Sequence, residues 1–311
     1  MTGSPSIEEA VIARAVQLAG SPSARAPIGA GDDMALVSVG TAKVLIAVDQ
    51  VVEGVHFQSG TPLDLIARKA VGRNVSDIAA MGALPAACVA AATLPMDMSA
   101  NDARTLVDAV AHWAQSFDCP LVGGDTAVHR SAGAPLTLSV TVIASVRADG
   151  IIARRSGACA GDTLLLGGAV GGSFGADGLG RHLHIEPRVS QAQQLIDALS
   201  GRVHAMIDIS DGLGRDAARV AHASGARTGR ALQARLRGNQ IPLRGGATLR
   251  QGLCDGEDHE LLAAIEAGAP IPAGWTAIGS IVTPQSGDTR GCVVDAAGGE
   301  QDASDLGWTH G

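Results

Sequence analysis

The chain has 311 residues, which is enough for two domains of ordinary size, each with its own hydrophobic core. Its formal net charge of −8 argues against a nucleic-acid partner, because proteins that bind the phosphate backbone present basic patches. Its five cysteines are widely spaced without a Cys-x-x-Cys pair, which argues against a zinc site and indicates reduced thiols. Residues 1–9 lack the features of a signal peptide, and the most apolar stretch, residues 86–94, is far shorter than the roughly 20 residues of a membrane span. We therefore expect a cytoplasmic protein without a membrane partner.

The first half of the chain mixes helices and strands. Helical spacing predicts helices over residues 7–18, 62–81 and 99–117. Thr61 is the predicted N-cap of the second helix, with Pro62 in its first turn, and Ser99 is the predicted N-cap of the third. Apolar runs predict strands at residues 35–39, 43–48, 121–122 and 136–146. Since strands and helices do not alternate regularly, an α+β domain is predicted for residues 1–147.

The second half begins after a polar, Gly-containing boundary at residues 147–161. Strands are predicted at residues 163–166, 205–209, 261–265 and 275–282, and helices at residues 191–199 and 211–223. Residues 167–180 are rich in glycine, and residues 226–255 give so weak a signal that they are predicted to be irregular.

Six short acidic motifs place carboxylates beside Gly, Ser or another carboxylate. They are Gly31-Asp32-Asp33, Val48-Asp49, Asn74-Val75-Ser76-Asp77, Gly123-Gly124-Asp125-Thr126, Asp208-Ile209-Ser210-Asp211-Gly212 and Gly256-Glu257-Asp258. Mg²⁺ prefers oxygen ligands and usually joins one or two carboxylates to substrate phosphates. One shared site explains the six motifs better than six unrelated turns. The pattern therefore predicts phosphate chemistry through divalent cations, without a phosphate-binding lysine loop.

Each motif also has an ordinary structural alternative. Asp208 is predicted to end a strand and Asp211 to lie in the first turn of a helix, where acidic residues often cap free N–H groups. Asp77 lies inside a predicted helix and could belong to a solvent-facing turn, although the apolar residues after it favour partial burial. The Gly31 and Gly123 motifs could be simple tight turns.

A competing motif, Gly171-Gly172-Ser173-Phe174-Gly175, matches the nucleophile elbow of serine hydrolases. It precedes Asp208 and His222 or His259, which is the order of a hydrolase triad. So glycine-rich a chain matches this pattern easily by chance, and the hydrolase is kept as a minor alternative.

Taken in order, the acidic motifs resemble those of the thiamine-monophosphate kinase family, which belongs with aminoimidazole ribonucleotide synthetase. Further matching segments are Val52-Glu53-Gly54-Val55-His56-Phe57, residues 74–82, Arg155-Ser156-Gly157 and Gly307-Trp308-Thr309-His310. The resemblance implies an α+β N-terminal domain with a mixed sheet that dimerises, and an α/β C-terminal domain over residues 148–311. It also implies transfer of a phosphoryl group from ATP to thiamine monophosphate, assisted by several Mg²⁺ ions, in a homodimer.

The resemblance also implies which residues form the site. It assigns Mg²⁺ to Asp33, Asp49, Asp77, Asp125, Asp208 and Asp211; ATP to Gly124, Asp125, Arg155 and Ser210; and thiamine phosphate to His56, Glu257 and Trp308. No nucleophile or general base is implied, because a phosphate acceptor is already ionised. The sequence itself adds that Trp308 is an aromatic residue in a polar tail, which suits stacking on a flat cationic ring.

Three segments depart from the family pattern, one of which, residues 226–255, matches it poorly. Ala47-Val48 stands where a Ser/Thr pair is usual, and His259 stands where Tyr is common. The loss of a hydroxyl ligand supports an alternative hypothesis, in which the chain is an impaired relative that binds nucleotide or thiamine phosphate without turnover. A related kinase with a different phosphate acceptor is a further alternative.

Overall fold

The computed structural model describes residues 7–20 and 22–308 and contains two sheets with helices packed on them. The α-helices are α1 (Ile7–Ala19), α2 (Leu63–Ala80), α3 (Ala100–Ser116), α4 (Val189–Leu199), α5 (Leu213–Thr228) and α6 (Leu249–Cys254). The strands are β1 (Ala35–Val39), β2 (Ala42–Val52), β3 (Leu84–Leu94), β4 (Leu121–Val128), β5 (Thr137–Ser145), β6 (Thr163–Leu166), β7 (Val203–Asp208), β8 (Gln233–Arg237), β9 (Leu261–Ile265), β10 (Thr276–Val282), β11 (Cys292–Ala296) and β12 (Gly299–Asp302). Most of the segment 1–9, and the tail residues Thr309 and His310, lie outside the described residues.

The first sheet has the strand order β1-β2-β5-β3-β4 and is antiparallel except for the pair β3–β4. On one face, alternate residues of β5 such as Val140 and Val142 are fully buried in a core shared with α2 and α3. On the other face, Val48, Val89 and Ile143 are 63%, 39% and 38% exposed. One face of the sheet is thus apolar and uncovered in the single chain.

Helix α2 connects the two halves of the molecule. Its middle packs in the core of the first sheet, whereas Ala79 and Ala80 belong to a cluster with Ile196 of α4. Gly82 follows the helix at φ +61°, and a Cβ there would lie 2.3 Å from Ile196 Cδ1. This close approach fixes the end of α2, and with it Asp77, at the seam between the two sheets.

The second sheet has the order β12-β11-β8-β10-β6-β9-β7 and is antiparallel except for the pair β8–β11. Helices α5 and α6 pack on one face and α4 on the other. Strand β9 therefore has buried neighbours on both sides, which explains why its sequence, Leu-Leu-Ala-Ala-Ile, is apolar without alternation. Nowhere in residues 7–20 or 22–308 is a helix both long and apolar enough to cross a bilayer.

Several predicted elements need correction. The strand predicted at residues 43–48 is part of the longer β2, so Asp49 lies inside a strand and not at its end. Strand β3 was not predicted, because its Ala-rich sequence has low β propensity and is held by its neighbours on both sides. Residues 226–255 are not irregular, since they contain the end of α5, strand β8 and helix α6.

Two predicted helix starts also need correction. Pro62, not Thr61, occupies the N-cap position of α2, and no side chain caps that end. Helix α5 begins at Leu213 after Gly212, so Asp211 lies in the turn before the helix. Ser99 is confirmed as the N-cap of α3, where its Oγ accepts a hydrogen bond from the Asp102 amide.

Candidate active site

A cleft of about 430 Å³ lies between the two sheets, beside the C-terminal half of α2. Ten of the twelve predicted site residues line it: Asp33, Asp49, His56, Asp77, Arg155, Asp208, Ser210, Asp211, Glu257 and Trp308. Seven carboxylates and three guanidinium groups line the same cleft, so negative charge is in excess. Motifs that are distant in the sequence therefore converge on one acidic site.

The centre of the cleft is formed by three carboxylates from three elements. Asp33 precedes β1, Asp77 lies in the last turn of α2, and Asp208 ends β7. One oxygen of each lies within 4.8 Å of the others, and one oxygen of Asp33 is buried without a hydrogen-bond partner. An arrangement of converging oxygens with an unused acceptor fits a divalent cation.

The pKa values of these groups reflect their crowding. Burial, and then the neighbouring charges of Asp208 and Asp32, raise the pKa of Asp33 to about 7, although the Arg155 guanidinium opposes the shift. Burial and the charges of Asp49 and Asp208 raise the pKa of Asp77 well above its ordinary value. The site therefore holds more negative charge than its own cations balance, and bound metal ions would reverse these shifts.

The pKa of Asp208 is shifted in the opposite direction, because its carboxylate accepts hydrogen bonds from two side chains. Burial alone would raise its pKa, but hydrogen bonds from His259 and Ser76 more than offset this, so its pKa lies below the usual range. His259 Nδ1 lies 3.0 Å and Ser76 Oγ 2.6 Å from Asp208 Oδ2. His259, which replaces the usual Tyr of the family pattern, thus orients this carboxylate.

Asp49 is positioned by α2. Its backbone amide donates to Asn74 Oδ1 at 2.9 Å, and its carboxylate accepts from Arg73 Nε at 3.0 Å. Asn74 and Ser76 are both fully buried, which excludes the alternative of a solvent-facing turn. Polar residues inside α2 are tolerated because each is hydrogen-bonded to a residue at the cleft.

The turn between β7 and α5 holds Ser210 and Asp211. The backbone amides of both residues donate to Asp216 Oδ2, at 3.1 and 3.0 Å. Arg219 bridges the carboxylates of Asp211 and Asp216. Asp216, in the first turn of α5, therefore performs the local capping, and the Ser210 and Asp211 side chains line the cleft.

Arg155 lines the cleft and binds the segment before β1. Its guanidinium donates to Asp33 Oδ1 at 2.5 Å, and its backbone amide donates to Asp32 Oδ1 at 3.0 Å. Arg154 donates to the other oxygen of Asp32 at 3.2 Å. The loop before β1 and the loop after β5 are thus held together by charge-assisted hydrogen bonds.

The remaining predicted residues, His56, Glu257 and Trp308, also line the cleft. Glu257 has φ +50°, and its carboxylate accepts from the buried Lys69 Nζ at 2.5 Å. Burial opposes ionisation of Glu257, but His182 and Lys69 outweigh it and place its pKa below the usual range. His56 Nδ1 accepts from the Val52 amide at 3.1 Å, and the Trp308 amide donates to Asp211 O at 2.8 Å. His56 and Trp308 are thereby fixed relative to the acidic centre.

Some cleft residues were missed in the sequence. They are Asp32, Arg73, Phe174 and Arg219, and behind them Lys69 and Asp216, which bind the cleft residues Glu257 and Arg219. Lys69, Arg73 and Asp77 are spaced four residues apart, so they share one face of α2, and this spacing is a signal that could have found the two cations. For Phe174 the only signal is its place as a rare aromatic residue in the Gly-rich segment 167–180.

Gly124 and Asp125 do not reach the cleft of their own chain. They lie on the edge strand β4, beside a groove against α3. The strand register pairs Asp125 with Ala91 of β3 and Ala91 with Ser139 of β5. Val89 lies two residues from Ala91 on β3, so both side chains point to the same, uncovered face of the first sheet. Asp125, as the partner of Ala91, therefore lies on that face too.

The serine-hydrolase alternative is not supported by the contacts of Ser173. Its side chain is fully buried, and its Oγ donates to Asp258 Oδ1 at 2.9 Å, near Arg244. His259 bonds instead to Asp208. No nucleophile–histidine pair is formed by Ser173 among the described contacts.

Known proteins are similar in sequence to this chain over most of its length. A family model for the AIR synthase related protein, N-terminal domain, matches residues 31–146. A thiamine-monophosphate kinase from Mycobacterium tuberculosis is 34% identical over 329 aligned residues, which cover 99% of this chain and 93% of the relative. The enzyme of that name from Escherichia coli K12 is 34% identical over 277 residues, covering 82% and 81%.

Solved structures agree in fold. A structure described as "AaThiL complexed with AMPPCP and TMP" has a TM-score of 0.75 at 25% identity and covers 90% of this chain and 91% of its own. Thiamine-monophosphate kinase from Stenotrophomonas maltophilia has a TM-score of 0.68 at 27% identity, with coverages of 92% and 95%. The predicted architecture, two mixed-sheet domains of the aminoimidazole ribonucleotide synthetase type, is thereby confirmed.

Proposed function

This chain belongs to the thiamine-monophosphate kinase family, and we propose that it transfers the γ-phosphoryl group of ATP to thiamine monophosphate, giving thiamine diphosphate. The observation that carries the proposal is the convergence of Asp33, Asp77 and Asp208 in one cleft between the two domains. A cytoplasmic location remains a prediction from the sequence.

The metal sites are proposed from the donors. Asp33, Asp77 and Asp208 would share Mg²⁺, and Asp49 and Asp211, which line the same cleft, would provide further ligands. Bound Mg²⁺ would neutralise the phosphates and align donor and acceptor. The buried, unpartnered oxygen of Asp33 and the raised pKa values of Asp33 and Asp77 support this assignment.

The protein's own groups would orient the two phosphates. Arg155 would hold the ATP phosphates and Ser210 would donate to them, since both line the cleft next to the carboxylates. Two anions must approach each other, so the barrier is mainly repulsion and alignment, and a fixed guanidinium reduces both. The acceptor phosphate is already ionised, so no side chain is assigned as general base.

The substrate would bind beside His56, Glu257 and Trp308, which line the cleft. Burial opposes ionisation of Glu257, but His182 and Lys69 outweigh it and hold its pKa below the usual range, which favours the ionised form. A negative charge and an aromatic face suit the cationic thiazolium ring of thiamine. These residues therefore support thiamine monophosphate as the acceptor.

A homodimer would explain the position of Asp125. The uncovered sheet face carries Ile46, Val48, Val89 and Ile143, and a second copy covering it would bury these side chains. Asp125 lies on this same face, so in the dimer it could reach the cleft of the partner subunit. We therefore propose that Gly124 and Asp125 bind ATP and Mg²⁺ across the interface.

The test is turnover by the purified protein with ATP, Mg²⁺ and thiamine monophosphate. We expect ADP and thiamine diphosphate in equal amounts, with none formed after addition of EDTA. Ala47 and Val48 line the cleft and offer no hydroxyl ligand, so the assay also decides the alternative. Binding of both substrates without any product would support the impaired relative and contradict the kinase.

A further inference from the structure

The chain contains only three Phe, three Trp and no Tyr, so the location of each aromatic residue is informative. Four of them, Phe57, Trp113, Phe117 and Trp275, pack in or against hydrophobic clusters. The other two, Phe174 and Trp308, line the cleft and are 47% and 48% exposed. Aromatic rings are usually buried in a core, so two exposed rings in one acidic cleft indicate a role in binding a ligand.

Phe174 is held in place by its backbone neighbours. Ser173 is fully buried, its Oγ donates to Asp258 Oδ1 at 2.9 Å, and its carbonyl oxygen accepts from the His182 amide at 3.0 Å. The Gly171 amide donates to the same carboxylate oxygen at 3.0 Å. The Gly-rich segment thus presents Phe174 from a fixed support.

The ring of Phe174 is also fixed. It packs against the His182 imidazole with ring centroids 4.8 Å apart and planes 35° from parallel. His182 Nδ1 lies 2.9 Å from Lys69 Nζ and 3.3 Å from Glu257 Oε2. One face of Phe174 is therefore backed by a buried polar cluster next to Glu257.

From this arrangement we infer that Phe174 is a specificity-determining residue, whose ring forms an aromatic wall of the acceptor pocket and binds flat cationic rings. The inference rests on the proposed function, since it names the part of the substrate that Phe174 selects. A cation above the ring would be attracted by the aromatic face and by Glu257. Trp308 would provide a second aromatic surface in the same cleft.

The test compares Phe174→Leu, which keeps an apolar side chain but removes the aromatic face, with wild type. Calorimetry with the Mg²⁺–AMPPCP complex should show thiamine monophosphate binding weakened by roughly two- to thirty-fold, the range of a cation–aromatic contact. The affinity for AMPPCP itself and the melting temperature should stay unchanged. Phe174→Tyr, which keeps an aromatic ring, should bind thiamine monophosphate with the wild-type affinity. Leu179→Ala is a matched control, because Leu179 is 41% exposed in the same segment and does not line the cleft.

A second ligand distinguishes the effect of the positive charge of the ring from the effect of its shape. The analogue of thiamine monophosphate in which the ring nitrogen cation is replaced by carbon should bind wild type and Phe174→Leu about equally. Equal affinity of both proteins for thiamine monophosphate would overturn the inference, as would failure of wild type to bind it. Absence of turnover in wild type, with binding still sensitive to Phe174→Leu, would instead overturn the proposed function alone.

Discussion

At the scale of single residues, the cleft is a set of carboxylates that oppose one another's ionisation. Asp33 and Asp77 have raised pKa values because they are buried beside other acids, whereas Asp208 is kept ionised by His259 and Ser76. Such uneven pKa values are typical of sites that bind cations or perform chemistry. In their ionised form these carboxylates would bind metal, but without metal their mutual repulsion lowers the stability of the fold.

Asp77→Asn should lower turnover by roughly two to three orders of magnitude, because a ligand oxygen at the centre of charge is lost. The unfolding free energy in the absence of metal should stay the same or rise, since the substitution removes repulsion. Enzyme kinetics and urea denaturation measure the two effects. Asp118→Asn, at an exposed position, is the control, and turnover in Asp77→Asn near the wild-type rate would contradict the assignment.

Binding of Mg²⁺ should depend on pH. The pKa of folded Asp33, about 7, lies above its ordinary value of 3.8, so its contribution to stability is present at low pH and is lost as pH rises through 7. Above pH 7 the ionised carboxylate is free to bind metal, and below it a proton competes. Thermal melts should show a larger stabilisation by Mg²⁺ at pH 8 than at pH 5.5. An equal Mg²⁺ effect at both values, or an undiminished one in Asp33→Asn, would speak against Asp33 as a ligand.

At the scale of elements, α2 is the part that links fold to site. Its residues support Asp49 through Asn74, Asp208 through Ser76 and Glu257 through Lys69. Gly82 sets the end of the helix against Ile196 of the second domain. The position of Asp77 is thus determined by packing on both sides of the cleft.

Gly82→Ala should destabilise the protein by about 2–4 kcal/mol, because it adds left-handed backbone strain and overpacks the contact with Ile196. Gly60→Ala is the matched control: Gly60 has φ +81°, but a Cβ there has nothing within 4 Å. It should cost only the backbone strain, about 1–2 kcal/mol. Urea denaturation measures both, and equal losses would show that Ile196 is not a constraint.

The sequence predicted elements best where local patterns and tertiary structure agree. The β5 alternation and the Ser99 cap are local features, and both are present in the structure. Strand β3 was invisible because its alanines form a strand only between two neighbouring strands. The acidic motifs were recognisable because turns and carboxylates coincide, whereas the contact of Lys69 with Glu257 joins residues 188 positions apart and exists only in the folded protein.

At the scale of the whole molecule, the single chain leaves an apolar sheet face uncovered and Asp125 away from the cleft. The homodimer proposed for this family member accounts for both observations. In this homodimer each active site would need residues from both subunits, so the sharing of the site can be tested by mixing two inactive variants.

Asp77→Asn and Asp125→Asn should each be inactive alone but recover activity when unfolded together and refolded as a mixture. Half of the refolded dimers would be mixed, and each would contain one complete site, so about a quarter of the wild-type activity should return. The same variants refolded separately and then pooled are the control. No recovery, or an active Asp125→Asn variant, would contradict sharing of the site between subunits.

Diffraction from crystals grown with Mn²⁺ in place of Mg²⁺ and with AMPPCP would locate the metal ions themselves. We predict anomalous scattering peaks between Asp33, Asp77 and Asp208, within bonding distance of their carboxylate oxygens. Peaks confined to other parts of the molecule, with these three side chains free of metal, would contradict this prediction.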